Sequence, residues 1–398
     1  MVRLLRYVSF VLVVVCVGWV TKSTYGYFFD RVTPTVMLAG LDKDTYCTGD
    51  VQCKVTSSKT GDLSVWLDGQ PLITHYHVNS AHKEHPFTIP TKTIANGKHT
   101  LKLELVDSRF AKNTATQECS FFVDNTPLQA AFVRPESDYK VLQGRTLHVQ
   151  FQVSKEIQSA KVHALAHEFD CFPETKNSSV YECFIPINCE ETPNEYLMSV
   201  EVADKAGNIL NLDSKFQIVM YPFKKHTLNI TAEKVKEERE HGLPSAEFEA
   251  KMEQLAKASK QEKMWKGPFV TPIDVEKVSC EFGTIRTTQQ KGRYMHKALD
   301  VINAPKSVVW ASQDGVIALK DRYESTGNTI VIDHGHGVLS MLCHLDSFAD
   351  IKEGQKIAKG NPVGTIGKTG YATGYHLHWE MRVNNIAIDP MQWTKATF

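Results

Sequence analysis

The run Leu101-Lys102-Leu103-Glu104-Leu105-Val106-Asp107 returns further along the chain as Leu197-Met198-Ser199-Val200-Glu201-Val202-Ala203-Asp204. Strict alternation places every second side chain on one face, which is the pattern of a half-buried strand. Each copy leads into another short strand, Cys119 to Val123 in the first and Phe216 to Met220 in the second. Turn signals punctuate them at Asp68-Gly69, Asn96-Gly97 and Ala206-Gly207-Asn208. One strand pattern repeated at roughly 100 residues calls for two copies of one β-sandwich module.

The expected architecture is therefore mainly β. It opens with two tandem immunoglobulin-like β-sandwiches at 30–126 and 127–222, read as spacers, with wall or partner binding as the lesser role. Six of the nine cysteines lie between Cys47 and Cys189, where an oxidising compartment permits disulfides. Cys53 and Cys119 fall in alternating runs that face one core, and Cys171 and Cys183 flank a hairpin. With three cysteines per module, the connectivity stays open.

Arg3 and Arg6 precede the run Tyr7 to Val20, which carries no charge. This is a basic n-region and an apolar h-region, and no small-x-small cleavage signal follows in Thr21 to Gly26. Residues 1–26 are read as a signal anchor in preference to a cleaved signal peptide. The basic end stays cytoplasmic, so the body is exported to the cell envelope and held at the membrane, with its C-terminal part periplasmic or extracellular. The 45 basic residues are matched by 45 acidic ones, which excludes the basic field of a nucleic-acid binder. A helical linker is expected over 223–266, where Ser245 is placed to cap a helix with Phe248, Met252 and Leu255 on one stripe.

The chemistry lies in the last third. In His376-Leu377-His378-Trp379-Glu380-Met381, alternation puts His376, His378 and Glu380 on one face of a strand, and Leu377, Trp379 and Met381 on the other. His344 lies upstream, and further upstream His296 has Asp300 four residues on. Two imidazoles and one carboxylate hold zinc with its fourth tetrahedral position free for water, which is the catalytic arrangement. The remaining two histidines are then available to handle protons, since the sequence has no His-Glu-x-x-His whose glutamate could do so. His334-Gly335-His336 reads as a tight structural turn. His75, His77, His82 and His85 read as a solvated patch. Cys343 reads as a core residue facing away from the zinc, because neighbours on a strand point to opposite faces.

Further pieces occur in a fixed order: Gly267-Pro268-Phe269, Phe282-Gly283, His296-Lys297-Ala298-Leu299-Asp300, Gly327-Asn328-Thr329, Asp333-His334-Gly335, His344-Leu345, Gly367-Lys368-Thr369-Gly370 and His376-Leu377-His378-Trp379-Glu380. This series resembles the lysostaphin-type, LytM-like zinc endopeptidases that cut the peptide part of bacterial murein, over Trp265 to Trp393. The resemblance implies an antiparallel β-sheet zinc peptidase domain at 267–398. It implies His296, Asp300 and His378 as ligands of Zn2+, and His344 and His376 as the catalytic pair. The implied substrate is peptidoglycan, cut in a stem or cross-bridge. The linker helix reads either as an amphipathic segment packed on a domain surface or, since some members of the resembled family are restrained in this way, as an arm that covers the active-site groove until an envelope or divisome protein partner removes it. Ala298 stands where the family usually has glycine, and Leu339 and Leu342 where it often has tyrosine. The alternative is a non-catalytic murein-binding protein that recruits or activates another hydrolase; the intact set of five residues speaks for the enzyme.

Overall fold

The computed structural model describes residues 2–79, 81–227, 246–288, 292–396 and 398. The chain begins with a helix over Val2–Phe29, whose stretch Val11–Phe29 has a mean hydropathy of 1.3 and is long and apolar enough to cross a membrane. The protein divides into two compact units, residues 1–127 with 205–208, and residues 128–204 with 209–398.

After its helix, the first unit is a packing of two sheets, one of three strands and one of five. The repeat strand Gly97–Asp107 buries Leu101, Leu103 and Leu105, as its alternation requires. The second unit opens with another pair of sheets, of five and four strands. There Glu195–Asp204 buries Met198, Val200 and Val202 in the same manner. All nine cysteines are free thiols; Cys47, Cys53 and Cys119 share the first core, and Cys171 and Cys183 the second.

The stretch expected as a helical linker is partly strand. Lys225–Thr227 pairs in parallel with Ile285–Thr288, which pairs antiparallel with Gly292–Met295. The expected cap Ser245 lies outside the described residues. The helix itself is present over Ala246–Lys257. Its apolar stripe sets its position: Phe248 and Met252 are fully buried against Leu319, Val331, Leu339, Met341 and Cys343. Burial of each such side chain contributes about 1.5–3 kcal/mol. Leu339 therefore serves as floor for this helix.

The C-terminal sheet has ten strands. Its central order runs Lys277–Cys280, Leu299–Ile302, Leu377–Val383, Val338–Phe348, Gly327–Asp333, Gly315–Tyr323, Lys356–Ile357. One face buries Leu377, Trp379, Met381 and Val383 in the largest apolar cluster among the described residues. The second sandwich docks on this domain. Phe184 of the sandwich lies among Trp265, Trp393 and Phe398, with ring centroids 5.6 to 5.7 Å apart. Gln392 closes a two-point bond to the backbone of Thr146, accepting at 2.7 Å and donating at 2.8 Å. Buried Glu182 takes Lys263 and His148, each at 2.9 Å.

Candidate metal and catalytic site

Four neighbouring strands build the site by register. Cys280 stands opposite Asp300, Asp300 opposite His378, and His378 opposite Cys343. Cross-strand partners share a face, so one transverse row carries these four side chains. His296 enters from the turn between Gly292–Met295 and Leu299–Ile302. The strand Leu377–Val383 keeps the alternation expected of it, with His378, Glu380 and Arg382 on the site face.

His344 breaks alternation. Its φ is +60°, the left-handed region, beside a register shift in the strand Val338–Phe348. Its amide still donates to the Thr326 carbonyl at 2.8 Å. The break corrects the argument made for Cys343, which shares the face of His378 instead of turning away. Cys343 is nevertheless a core residue, because the linker helix roofs it with Phe248 and Met252. The backbone turn brings the His344 ring 4.8 Å from that of His376 and 5.7 Å from that of His378.

All five expected residues converge. The Asp300 carboxylate lies between two imidazoles, Oδ1 at 2.9 Å from His378 Nδ1 and Oδ2 at 3.2 Å from His296 Nε2. His376 Nε2 is 3.9 Å from the same Oδ1. Bonds of about 2.0–2.1 Å to a tetrahedral zinc separate neighbouring donors by about 3.3 Å, close to the two separations that Asp300 makes with His378 and His296. The electrostatics fit it too. Burial raises the Asp300 carboxyl, but hydrogen bonds from His296 and His378 override it and hold it well below the usual range. Burial lowers His378, yet bonds to Asp300 and Glu380 push it up to about 9. Carboxylates thus face both nitrogens of the His378 ring and favour its cationic form.

Glu380 Oε2 lies 3.6 Å from His378 Nε2, on the side away from Asp300, and orients the ring as outer carboxylates do for metal-ligating histidines. Arg382 binds Glu380 and forks onto Glu249 of the linker helix at 2.9 and 3.2 Å. The helix therefore reaches the site through a relay of charges. His344 Nδ1 donates to the Thr369 carbonyl at 2.8 Å, and His376 Nδ1 to the Gly374 carbonyl at 2.9 Å, which leaves Nε2 of each ring as an acceptor. Burial, with the charges of His378 and His376, pushes His344 down to about 3.

Some contributors were not legible beforehand. Cys280 has a donor atom within 4.8 Å of donors on both His296 and Asp300. Arg286 comes within 3.7 Å of Asp300. Neither carries a local spacing signal, since both arrive by strand pairing. Away from the site, His334 is a structural residue, its Nδ1 on the Asp314 carbonyl at 2.7 Å and its Nε2 on the Ser340 hydroxyl at 2.8 Å. In the His75–His85 patch, exposed His77 pairs with Asp62 at 2.8 Å.

The sequence model of peptidase family M23 matches residues 294–390, which hold all five site residues. The C-terminal part of this chain is a peptidase family M23 domain. Among characterised relatives, the peptidoglycan DD-endopeptidase ShyC of Vibrio cholerae is 31% identical over 121 residues, 30% of this chain and 28% of that protein. The DD-carboxypeptidase/endopeptidase Mpg of Neisseria meningitidis is 32% identical over 127 residues, 32% of this chain and 29% of that protein. The chain thus matches under a third of the length of either relative. The catalytic domain of the antimicrobial peptidase lysostaphin from Staphylococcus simulans aligns over 30% of this chain and 92% of its own, at 27% identity and a TM-score of 0.27. Cys280, Arg286 and the linker helix all lie ahead of the matched M23 residues.

Proposed function

We propose that this chain is a zinc-dependent endopeptidase of the bacterial cell envelope that hydrolyses peptide bonds in peptidoglycan stems or cross-bridges. The observation that carries this reading is the Asp300 carboxylate held between His296 Nε2 and His378 Nδ1, with the rings of His344 and His376 beside it. Relatives named as peptidoglycan endopeptidases support the substrate class. His296, Asp300 and His378 are the residues that would hold the metal. When bound, zinc polarises the scissile carbonyl as a Lewis acid and lowers the pKa of water to about 7.

The remaining work falls to side chains of the domain. Nε2 of His344 and Nε2 of His376 are the proton-handling atoms, because each Nδ1 is committed to a backbone carbonyl. One takes the proton of the attacking water and passes it on to the leaving amine, and the other lines the oxyanion. Glu380 keeps the His378 ring aimed, and Arg382 keeps Glu380 ionised.

The test is metal analysis of the full-length protein together with digestion of purified peptidoglycan, the cleaved bond being identified by mass spectrometry of the released fragments. Zinc at one equivalent and new peptide termini are expected. A zinc-replete protein that binds peptidoglycan and leaves it intact would instead make the chain a recruiter or activator of another hydrolase. The apolar helix Val11–Phe29 supports an exported protein tethered at the membrane.

A further inference from the structure

The apolar helix Val2–Phe29 does not end free of the first sandwich; polar bonds join the two. The Phe110 amide donates to the Tyr27 carbonyl at 3.1 Å, and the Asn113 side chain to the Asp30 carbonyl at 3.0 Å. Lys59 binds the Asp30 carboxylate at 2.8 Å. Fully buried Asp107 braces the loop from within, accepting from the amides of Arg109 and Asn113 at 3.2 and 3.1 Å and from the Asn113 side chain at 3.0 Å. This bonding holds Ser108 to Asn113 against the end of the helix and presents Phe110, which is 64% exposed, with its ring 5.2 Å from that of Phe28. Phe87, Phe121 and Phe122 of the same sandwich are buried or half-buried. Tyr25, Tyr27, Phe28, Phe29 and Val32 are exposed as well, so the junction carries an uncovered aromatic patch, the kind of surface that marks an interaction site.

A helix of 28 residues is about 42 Å long at about 1.5 Å per residue, which matches a bilayer with its headgroups, about 40–45 Å. The apolar span Val11–Phe29 closes at the sandwich end, so Tyr25 to Phe29 stand in the headgroup layer, where aromatic side chains are favoured. Phe110 is pinned at that same level. Exposed Arg31 follows the helix and exposed Lys112 follows Phe110, both suited to anionic headgroups. The geometry points to a first sandwich seated on the membrane: the loop Ser108 to Asn113 is a foot on the leaflet away from the cytoplasm, with Phe110 inserted among the lipid headgroups beside the aromatic end of the helix. This inference rests on the tethered reading above and adds to it a second point of membrane contact. A second contact stops the sandwich from swivelling about the helix end. The strand Gly97–Asp107 then carries the opposite end of the sandwich about 33 Å from the foot, at about 3.3 Å per residue.

The experiment uses the full-length protein in vesicles of phosphatidylethanolamine and phosphatidylglycerol. Cys16→Ala removes the exposed native thiol, and the other cysteines are buried. A nitroxide is then attached at Phe110→Cys or, for comparison, at Ala95→Cys, an exposed position beside the far end of the strand Gly97–Asp107. Electron paramagnetic resonance should find the label at position 110 open to oxygen dissolved in lipid and shielded from a water-soluble nickel chelate, and the label at position 95 the reverse. In the unsubstituted parent, a photoactivatable phosphatidylethanolamine should mark the peptide that holds Phe110 and spare the one that holds Ala95, a measurement that needs no variant to fold. Labels equally open to nickel at both positions, in protein that floats with the vesicles, overturn the proposal and leave the tether standing. Protein that fails to float with the vesicles overturns the tether, and this proposal with it. Shielding that comes with spin–spin broadening and fades as the protein is diluted in lipid would show a contact between copies of the chain, and likewise overturns the proposal.

Discussion

Replacing Asp300 by alanine removes the carboxylate that both His296 and His378 address, and His378→Ala removes one of three expected ligands. Both variants are expected to lose tight zinc binding and hydrolysis together, which metal analysis of the purified proteins checks. His344→Ala and His376→Ala are expected to keep their zinc and lose on the order of a hundredfold in rate, the size of a general acid-base contribution. A metal-free His344→Ala or His376→Ala protein would show that the ligand and proton-handling roles are exchanged. These five residues were visible in the sequence because His376 and His378 declare a strand face by their spacing, and because the ordered series of motifs around His296, Asp300 and His344 resembles that of the lysostaphin-type endopeptidases. Cys280 and Arg286 were invisible for a physical reason: their proximity to Asp300 comes from strand register, which is set by the hydrophobic core and not by neighbours in the chain. His344 shows the opposite failure. Alternation holds only while φ stays in the extended region, and a left-handed histidine cannot be read from residue type.

At the scale of elements, the linker helix was legible as an amphipathic stripe, but what it covers was not. Phe248 sits fully buried on the sheet and meets Tyr323 edge-on at 4.8 Å. Phe248→Ala should cost about 3–5 kcal/mol, read from denaturant unfolding of the second unit. Glu249→Gln removes one arm of the relay to Arg382 while leaving that packing intact. It is expected to lower kcat with little change in melting temperature, because Glu380 then loses part of its anchor. The turn Asp333 to Gly337 supplies a pH dependence. Burial pushes His334 and His336 down to about 4, against an ordinary value near 6.5. Groups whose folded pKa is depressed lend stability that is complete above the unfolded value and is lost as pH falls through the folded one. The difference in melting temperature between the parent and His334→Gln should therefore be constant above pH ~6.5 and change steadily between there and about 4.

For the whole molecule, the repeat foretold a mainly β chain, and the structure adds that the second sandwich and the M23 domain are one compact unit. That fusion could not be read from either part alone, because Phe184, Trp265, Trp393 and Phe398 each look like ordinary core residues of their own module. Residues 128–398 are expected to unfold in a single transition by calorimetry, and Gln392→Ala, which strips both bonds from Thr146, should lower that transition by about 1–3 kcal/mol. Two separate transitions would show that the sandwich is an independent bead. Fractionation of native cells tests the tether: intact Met1 in the membrane pellet is expected, and protein beginning near Thr24 to Phe28 in a soluble fraction would show that the apolar segment is removed. The Gln392–Thr146 clasp joins residues 246 positions apart in the chain. Closing a loop of that length is slow, and nothing rewards it until both ends exist. Until the segment around Gln392 is made and docked, the ring of Phe184 stays bare. The newly made protein therefore has a vulnerable interval, and its abundance should depend on whatever shields apolar surface in the meantime.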